Sequence, residues 1–364
     1  MMDQALLDLD HPCADPMDRV GFDIGWDHAR HALVPPPQLM LDGTPISQGW
    51  TAARAVFGRR TLAATRPVRQ WLALRLQAWR EGVAFETLQV TPHHLAQLDA
   101  PHCPVTRRPL GGVPDGDDAP VVVRLRDDAG YAAGNLALLS RRAARARGDL
   151  SAAALRERAE RLLREGQAEC DGLAAAAWAR LATLASFAVE LPQVQAARLP
   201  LHLLPPNRVR VLNPAQGLQL LLTLRLHAAG WSRRARAVAD QLPRPELRHD
   251  FNLFVGALAA RLMEIPAGAE GHELRWAQED AWACPRVQRR WAQLAVQMSA
   301  DECEALVRRI AATELGGVKL LVHEAAQATE GWSLPTRGRL VRSPRRLPRG
   351  PLAAAGASLA AQPR

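Results

Sequence analysis

The sequence predicts a mainly α protein, in which a small module around residues 102–148 precedes a larger all-helical domain. Three observations predict it. Apolar residues recur at spacings of three and four behind recognisable capping residues, and Pro and Gly breaks cut the C-terminal half into helix-sized segments. The run Val121-Val122-Val123, by contrast, reads as a buried strand. With 364 residues, 48% of them hydrophobic and 23% charged, the chain has a globular composition and length enough for two domains.

Residues 1–50 are rich in Pro, Gly and Asp, with Pro35-Pro36-Pro37 among them, and predict an extended N-terminal arm that wraps or docks. Residues 51–150 form a helical lead-in followed by the module. In the lead-in, Val68, Trp71, Leu72, Arg75, Leu76 and Trp79 recur at spacings of three and four as one face, and Pro67 stands where a first-turn proline stands. Thr91-Pro92 starts a second helix, with Thr as cap and Leu95 and Leu98 on its buried side. Residues 151–172 read as a charged connecting helix. It is capped by Ser151, paired Glu157 to Arg161 and Glu160 to Arg164, striped by Leu155, Leu162 and Leu163, and stopped at Gly166 and Gly172.

Residues 173–334 predict the all-α domain. Its best specified segment has Ser299 and Glu302 as a capping box, a stripe of Cys303, Leu306, Val307 and Ile310, and Gly316-Gly317 as the stop. Val287, Trp291, Leu294 and Met298 make another buried face. Trp178, Trp231, Trp276, Trp282, Trp291 and Trp332 read as core anchors, a base-stacking platform being the other use of such residues. Residues 335–364 read as a basic, disordered tail, since no acid follows Glu330 while seven arginines do.

Composition narrows the classes. The first ten residues are acidic where an export signal is basic, and the apolar run at Leu218–Leu226 is broken by Arg225 and too short for a bilayer, so a cytoplasmic protein without a membrane partner is expected. The five cysteines, Cys13, Cys103, Cys170, Cys284 and Cys303, stand too far apart for a paired zinc knuckle. The net charge of +9 points to a polyanionic partner, and nearly all of it is arginine, Lys319 being the one lysine. Arg141, Arg142, Arg145 and Arg147 concentrate that charge within the module.

The module reads His102-Cys103-Pro104-Val105-Thr106, a polar loop, Val121-Val122-Val123-Arg124, then Gly130-Tyr131-Ala132-Ala133-Gly134-Asn135, an apolar run, and the arginine-rich segment. This layout resembles the HNH endonucleases, the ββα-metal nuclease superfamily, in the branch where C-P-V-T leads to a first strand, D-R-I, G-Y-x-x-G-N, a second strand and a helix bearing Asn and Lys. The resemblance implies a small ββα fold, Asn135 and Tyr131 as catalytic-site residues, and, only where the nuclease activity is kept, a divalent metal (Mg or Mn). It also implies Arg124, Arg141, Arg142, Arg145 and Arg147 as contacts to a DNA or RNA backbone. The chemistry departs from the pattern, because the family's Asp falls on Val123, its helix Asn on Ala144 and its Lys on Arg147. Cys103 is then a packing and turn residue.

Stand-in metal ligands are available in sequence at Asp115, Asp117 and Asp118, although Asp-Gly-Asp-Asp is equally a solvated turn. Asp127 and Asp128 sit in the next turn. His93, His94 and His102 lie close in the chain, but adjacent helical residues diverge by roughly 100°, so His93 and His94 cannot both face one site. Three readings stay open. One is a nucleic-acid-binding protein whose degenerate HNH-like module is weakly active or inactive. The second is an active metal-dependent endonuclease using the stand-in acids. The third is a protein-interaction protein acting through residues 173–334, with the module a structural remnant.

Overall fold

A computed structural model of the chain describes residues 15–113, 115–204, 212–227, 230–312 and 325–340. It is mainly helical, and its contacts divide it into two compact units, residues 1–63 with 340–364, and residues 64–339. Among the described residues no helix is long and apolar enough to cross a membrane.

The described part of the first unit corrects the expectation of an extended arm over residues 1–50. Helix α1 (Pro16–Arg30) starts at Asp15, whose carboxylate accepts the Met17 N–H, and α2 (Pro45–Phe57) starts at Thr44, whose hydroxyl accepts the Ser47 N–H. Pro16 and Pro45 occupy first-turn positions, where the missing N–H costs nothing, so these prolines begin helices instead of preventing them. The two helices pack through Gly25 and Gly49. A Cβ at Gly25 would overlap the Ile46 backbone, and one at Gly49 would overlap that of Phe22. Ile24, Ile46 and Ala53 fill the seam.

In the second unit, α3 (Arg66–Glu81) and α4 (Pro92–Leu98) form the lead-in, with Thr91 accepting the His94 N–H as its sequence predicts. Strands β1 (Pro120–Arg124) and β2 (Leu136–Ser140) pair antiparallel, Val121 opposite Leu139 and Val123 opposite Ala137, and run into the short α5 (Arg141–Arg147). Next come α6 (Ala152–Glu165), the small ribbon of β3 (Glu169–Cys170) and β4 (Leu173–Ala174), and α7 (Ala175–Ser186). Ser151 caps α6 and Gly166 ends it in the left-handed region. On α6 the ion pair is Arg156 with Glu160, in place of the two pairs expected from spacing.

Both faces of the hairpin are covered, so β2 reads as one apolar run. Leu136 and Leu138, with Val122, belong to a cluster with Leu74, Ala78 and Leu95 of α3 and α4. Ala137 and Leu139 belong to a second cluster with Leu155 and Leu162 of α6 and Trp178 and Leu181 of α7. The connecting helix expected at 151–172 is therefore part of the core that holds the module, and no core boundary falls at 150 or 172. Trp332 closes this cluster, its indole donating to the Ala133 carbonyl at 3.0 Å. The chain beyond it stays packed: Ala84 N–H donates to Gly338 O at 2.8 Å, and the Arg339 guanidinium donates to Glu81 O at 2.9 Å. The tail expected from 335 thus begins with ordered residues; 341–364 lie outside the described residues, as does the Gly316-Gly317 stop.

The remaining helices are α8 (Gln193–Ala196), α9 (Pro214–His227), α10 (Trp231–Ala239), α11 (Pro245–Leu262), α12 (Gly271–Ala283), α13 (Pro285–Ala295), α14 (Ala300–Ala312) and α15 (Ala325–Ala328). Most of them share one core around α9, which is buried on nearly every side, as a helix that is apolar all round must be. Phe254, Trp282 and Trp291 form its aromatic centre, with ring centroids 5.1–5.4 Å apart. The capping box forms as expected, Ser299 N–H to Glu302 at 2.9 Å and Glu302 N–H to Ser299 at 3.1 Å.

The glycine seam yields a prediction of opposite signs. Gly49→Ala forces a backbone overlap and should destabilise its unit by about 1–3 kcal/mol or more. Gly256→Ala, in α11 with open space around it, should stabilise its unit by about 0.5–1 kcal/mol. Thermal unfolding of the two variants checks this, and equal effects would refute the close packing of α1 on α2.

Candidate functional site

Asn135 and Tyr131, the residues expected to act, are committed to structure. Asn135 is fully buried. Its Nδ2 donates to the carbonyls of Arg126 (3.0 Å) and Gly130 (2.8 Å), and its Oδ1 accepts the Arg126 N–H at 2.8 Å. Its own carbonyl accepts from Leu125 N–H at 2.8 Å. Both amide protons are therefore spent on closing the turn between the strands, where the backbone would otherwise be buried without partners.

Tyr131 is 3% exposed and donates its hydroxyl proton to Glu81 Oε2 at 2.8 Å. Its ring stacks on Phe85, and the Arg124 guanidinium lies 5.0 Å from its centroid. Burial, then the Glu81 carboxylate, push the phenol far above its ordinary value. Arg124 is turned inward as well, donating to the carbonyls of Asp127 (2.7 Å) and Ala129 (2.8 Å). Cys103 is buried, with its Sγ accepting the Ser140 N–H at 3.3 Å, and Ser140 caps α5. Val123 packs against the α6–α7 cluster, and Ala144 lies on α5.

The loop acids meet guanidiniums. Asp115 pairs with Arg141 (3.2 Å), Asp117 with Arg142 (3.1 Å) and Arg145 (2.8 Å), and Asp118 with Arg108 (3.1 Å). A divalent cation needs several carboxylate or carbonyl oxygens turned inward on one point, whereas each of these carboxylates is turned to a guanidinium. Among the described residues no group of three or more His, Cys, Asp or Glu is placed to hold a metal ion. The donor set does not fit Mg or Mn. His93 pairs with Gln97, while His102 stacks on His272 of α12 with ring centroids 4.0 Å apart.

What the arrangement does leave is a basic cleft of about 460 Å³ between α5, α6 and the turn joining β3 to β4. Arg142, Arg145, Arg147 and Arg158 line it, against the two carboxylates Asp117 and Asp171. Arg147 is buried and braces the wall, donating to Leu125 O at 3.1 Å and pairing with Asp127 at 2.9 Å. Arg158 pairs with Asp171 at 2.7 Å and lies over the Trp178 ring. Arg145 is the most open, at 62% side-chain exposure. With Arg147 matched by Asp127, the other three guanidiniums face two carboxylates, Asp117 and Asp171, and leave surplus positive charge in a concave place, where it attracts anions more strongly than on a flat surface. Sequence reasoning missed Arg158 and Asp171, because α6 alternates both signs of charge and nothing local marks which residue turns towards α5.

Compared with known protein families, characterised proteins and solved structures, the chain matches none.

Two outcomes follow from this geometry. Asn135→Ala should cost about 2–4 kcal/mol in denaturant unfolding, since it leaves buried turn groups unpaired; an unchanged midpoint would contradict the staple. Tyr131 is the single tyrosine, so phenolate absorbance reports it directly. Its folded pKa lies above the ordinary 10.0, so its contribution is fully present below about pH 10 and is lost as pH rises. Phenolate should therefore appear together with alkaline unfolding. A separate native-state titration near pH 10 would contradict the burial.

Proposed function

We propose that the module is a degenerate HNH-like ββα element that binds the phosphate backbone of DNA or RNA without hydrolysing it. The observation that carries this reading is the surplus of guanidinium charge in the α5–α6 cleft, next to the hairpin and helix that the resemblance places against nucleic acid. Arg142, Arg145 and Arg158 supply the phosphate contacts, and Arg147 with Asp127 holds α5 in place. Arg141 stands at the start of α5, beside Asp115. Arg124, tied into the turn, acts on binding only by shaping the hairpin. The protein then works in the cytoplasm, where nucleic acid is at hand.

The competing reading, an active metal-dependent endonuclease, would require Asp115, Asp117 and Asp118 to abandon their arginines, and Asn135 to release a turn it closes with both amide protons. Losing one member of a catalytic unit removes most of its effect, and here several are absent or engaged elsewhere.

The test is a binding titration with a fluorescent duplex and a matched single strand at several salt concentrations, with Mg or Mn present or absent. Phosphate contacts from Arg142, Arg145 and Arg158 predict a slope no steeper than about −3 in log K against log salt. Arg145→Ala should weaken binding to all sequences alike and lower that slope by about 1, with the nucleic acid intact in either metal. A salt-independent affinity, or binding untouched by Arg145→Ala and Arg142→Ala together, would refute the assignment; metal-dependent cleavage would restore the nuclease reading.

A further inference from the structure

A cavity of about 550 Å³ in the second unit is lined from α6, α7, α12 and the segment after α8. That volume suits a small organic molecule. One wall is apolar, made by Ala159, Leu163, Ala179, Leu199 and Leu201. Leu163 is 66% exposed on an otherwise charged helix, an apolar surface that the fold itself does not cover.

The other wall is charged, and its charges are unevenly matched. Arg107 reaches from the module to two carboxylates of α12, at 2.9 Å from Glu279 and 2.8 Å from Asp280. Glu279, 6% exposed, is also met by His202 at 3.0 Å and by the Leu203 N–H at 2.8 Å. Burial alone would raise its carboxyl pKa, but His202, the Leu203 N–H and Arg107 together hold it below the ordinary range. Both carboxylates are thus already paired within the protein.

Arg180 of α7 is not. Its Nε donates to Val105 O at 2.7 Å, and among the described residues no carboxylate lies within ion-pair distance of it. It is half-buried, and burial followed by the neighbouring Arg107 guanidinium disfavours its charged form. Its terminal N–H groups make no hydrogen bond to a described residue, and Arg180 lines the cavity, so they are open to an anion bound there.

We propose that this cavity binds a small organic anion with an apolar body, the acid group pairing with Arg180 and the body lying along Leu163 and Leu199. The site is distinct from the basic cleft and does not depend on the nucleic-acid reading.

The test uses the full chain with 1-anilinonaphthalene-8-sulfonate as a fluorescent aryl sulfonate, and decanoate as competitor. One saturable site is expected, with decanoate displacing the probe and neutral decanol failing to do so. Arg180→Met, which keeps the bulk and removes the charge, should weaken the probe about tenfold or more, as loss of one charge-assisted pair does. Ala176→Trp, at an exposed position on the cavity wall, should abolish binding without touching the core. Arg145→Ala, in the basic cleft, should leave it unchanged. Non-saturable binding, equal displacement by decanol, or affinity unchanged in both Arg180→Met and Ala176→Trp would overturn the proposal.

Discussion

The amide of Asn135 closes the turn between the two strands of the module, and much of the second unit is arranged around that closure. With the turn held, β1 and β2 keep the register that puts Leu136 and Leu138 on one face and Ala137 and Leu139 on the other. Those faces seat the lead-in helices and the α6–α7 pair. Tyr131 and Arg124 lock the same turn from outside, through Glu81 and through the carbonyls of Asp127 and Ala129. Residues whose spacing resembles a nuclease site are thereby used for packing and hydrogen bonding. A side chain that meets buried backbone with every proton it has is not free to position water.

Charge is arranged with similar economy. The chain is strongly basic, yet around the module the loop acids neutralise most of the arginines that its sequence concentrates in α5. Exposed ion pairs of this kind add little stability, but they fix the loop against the helix and decide where positive charge remains. It remains where Arg142 and Arg145 share the carboxylate of Asp117, beside Arg158 with its own partner Asp171. Which of these charges cancel is therefore set by tertiary placement.

Local physics made much of the fold legible. Thr91, Ser151 and the Ser299–Glu302 pair cap helices by hydrogen bonds that span only a few residues, so short windows of sequence suffice. The buried stripe of Cys303, Leu306, Val307 and Ile310 follows from helical period alone. The helical hairpin of the first unit was hidden because Pro16 and Pro45 look like breaks when they are first-turn residues. Gly25 and Gly49 look like loops when they are points of close helix approach. Trp332 and Arg339 return to the module across some two hundred residues of chain or more, a distance no local pattern encodes. At the candidate site, arginine clustering was legible, whereas the acids that engage it and the contribution of Arg158 required the tertiary arrangement.

Hydrogen exchange of the full chain, with and without a saturating short oligonucleotide, tests the central claim most directly, since it locates contact without relying on any substitution. The account predicts slowed exchange concentrated in α5 and in the turn joining β3 to β4, the two backbone segments that border the basic cleft. Protection confined to helices α9–α14, or none at saturation, would contradict it.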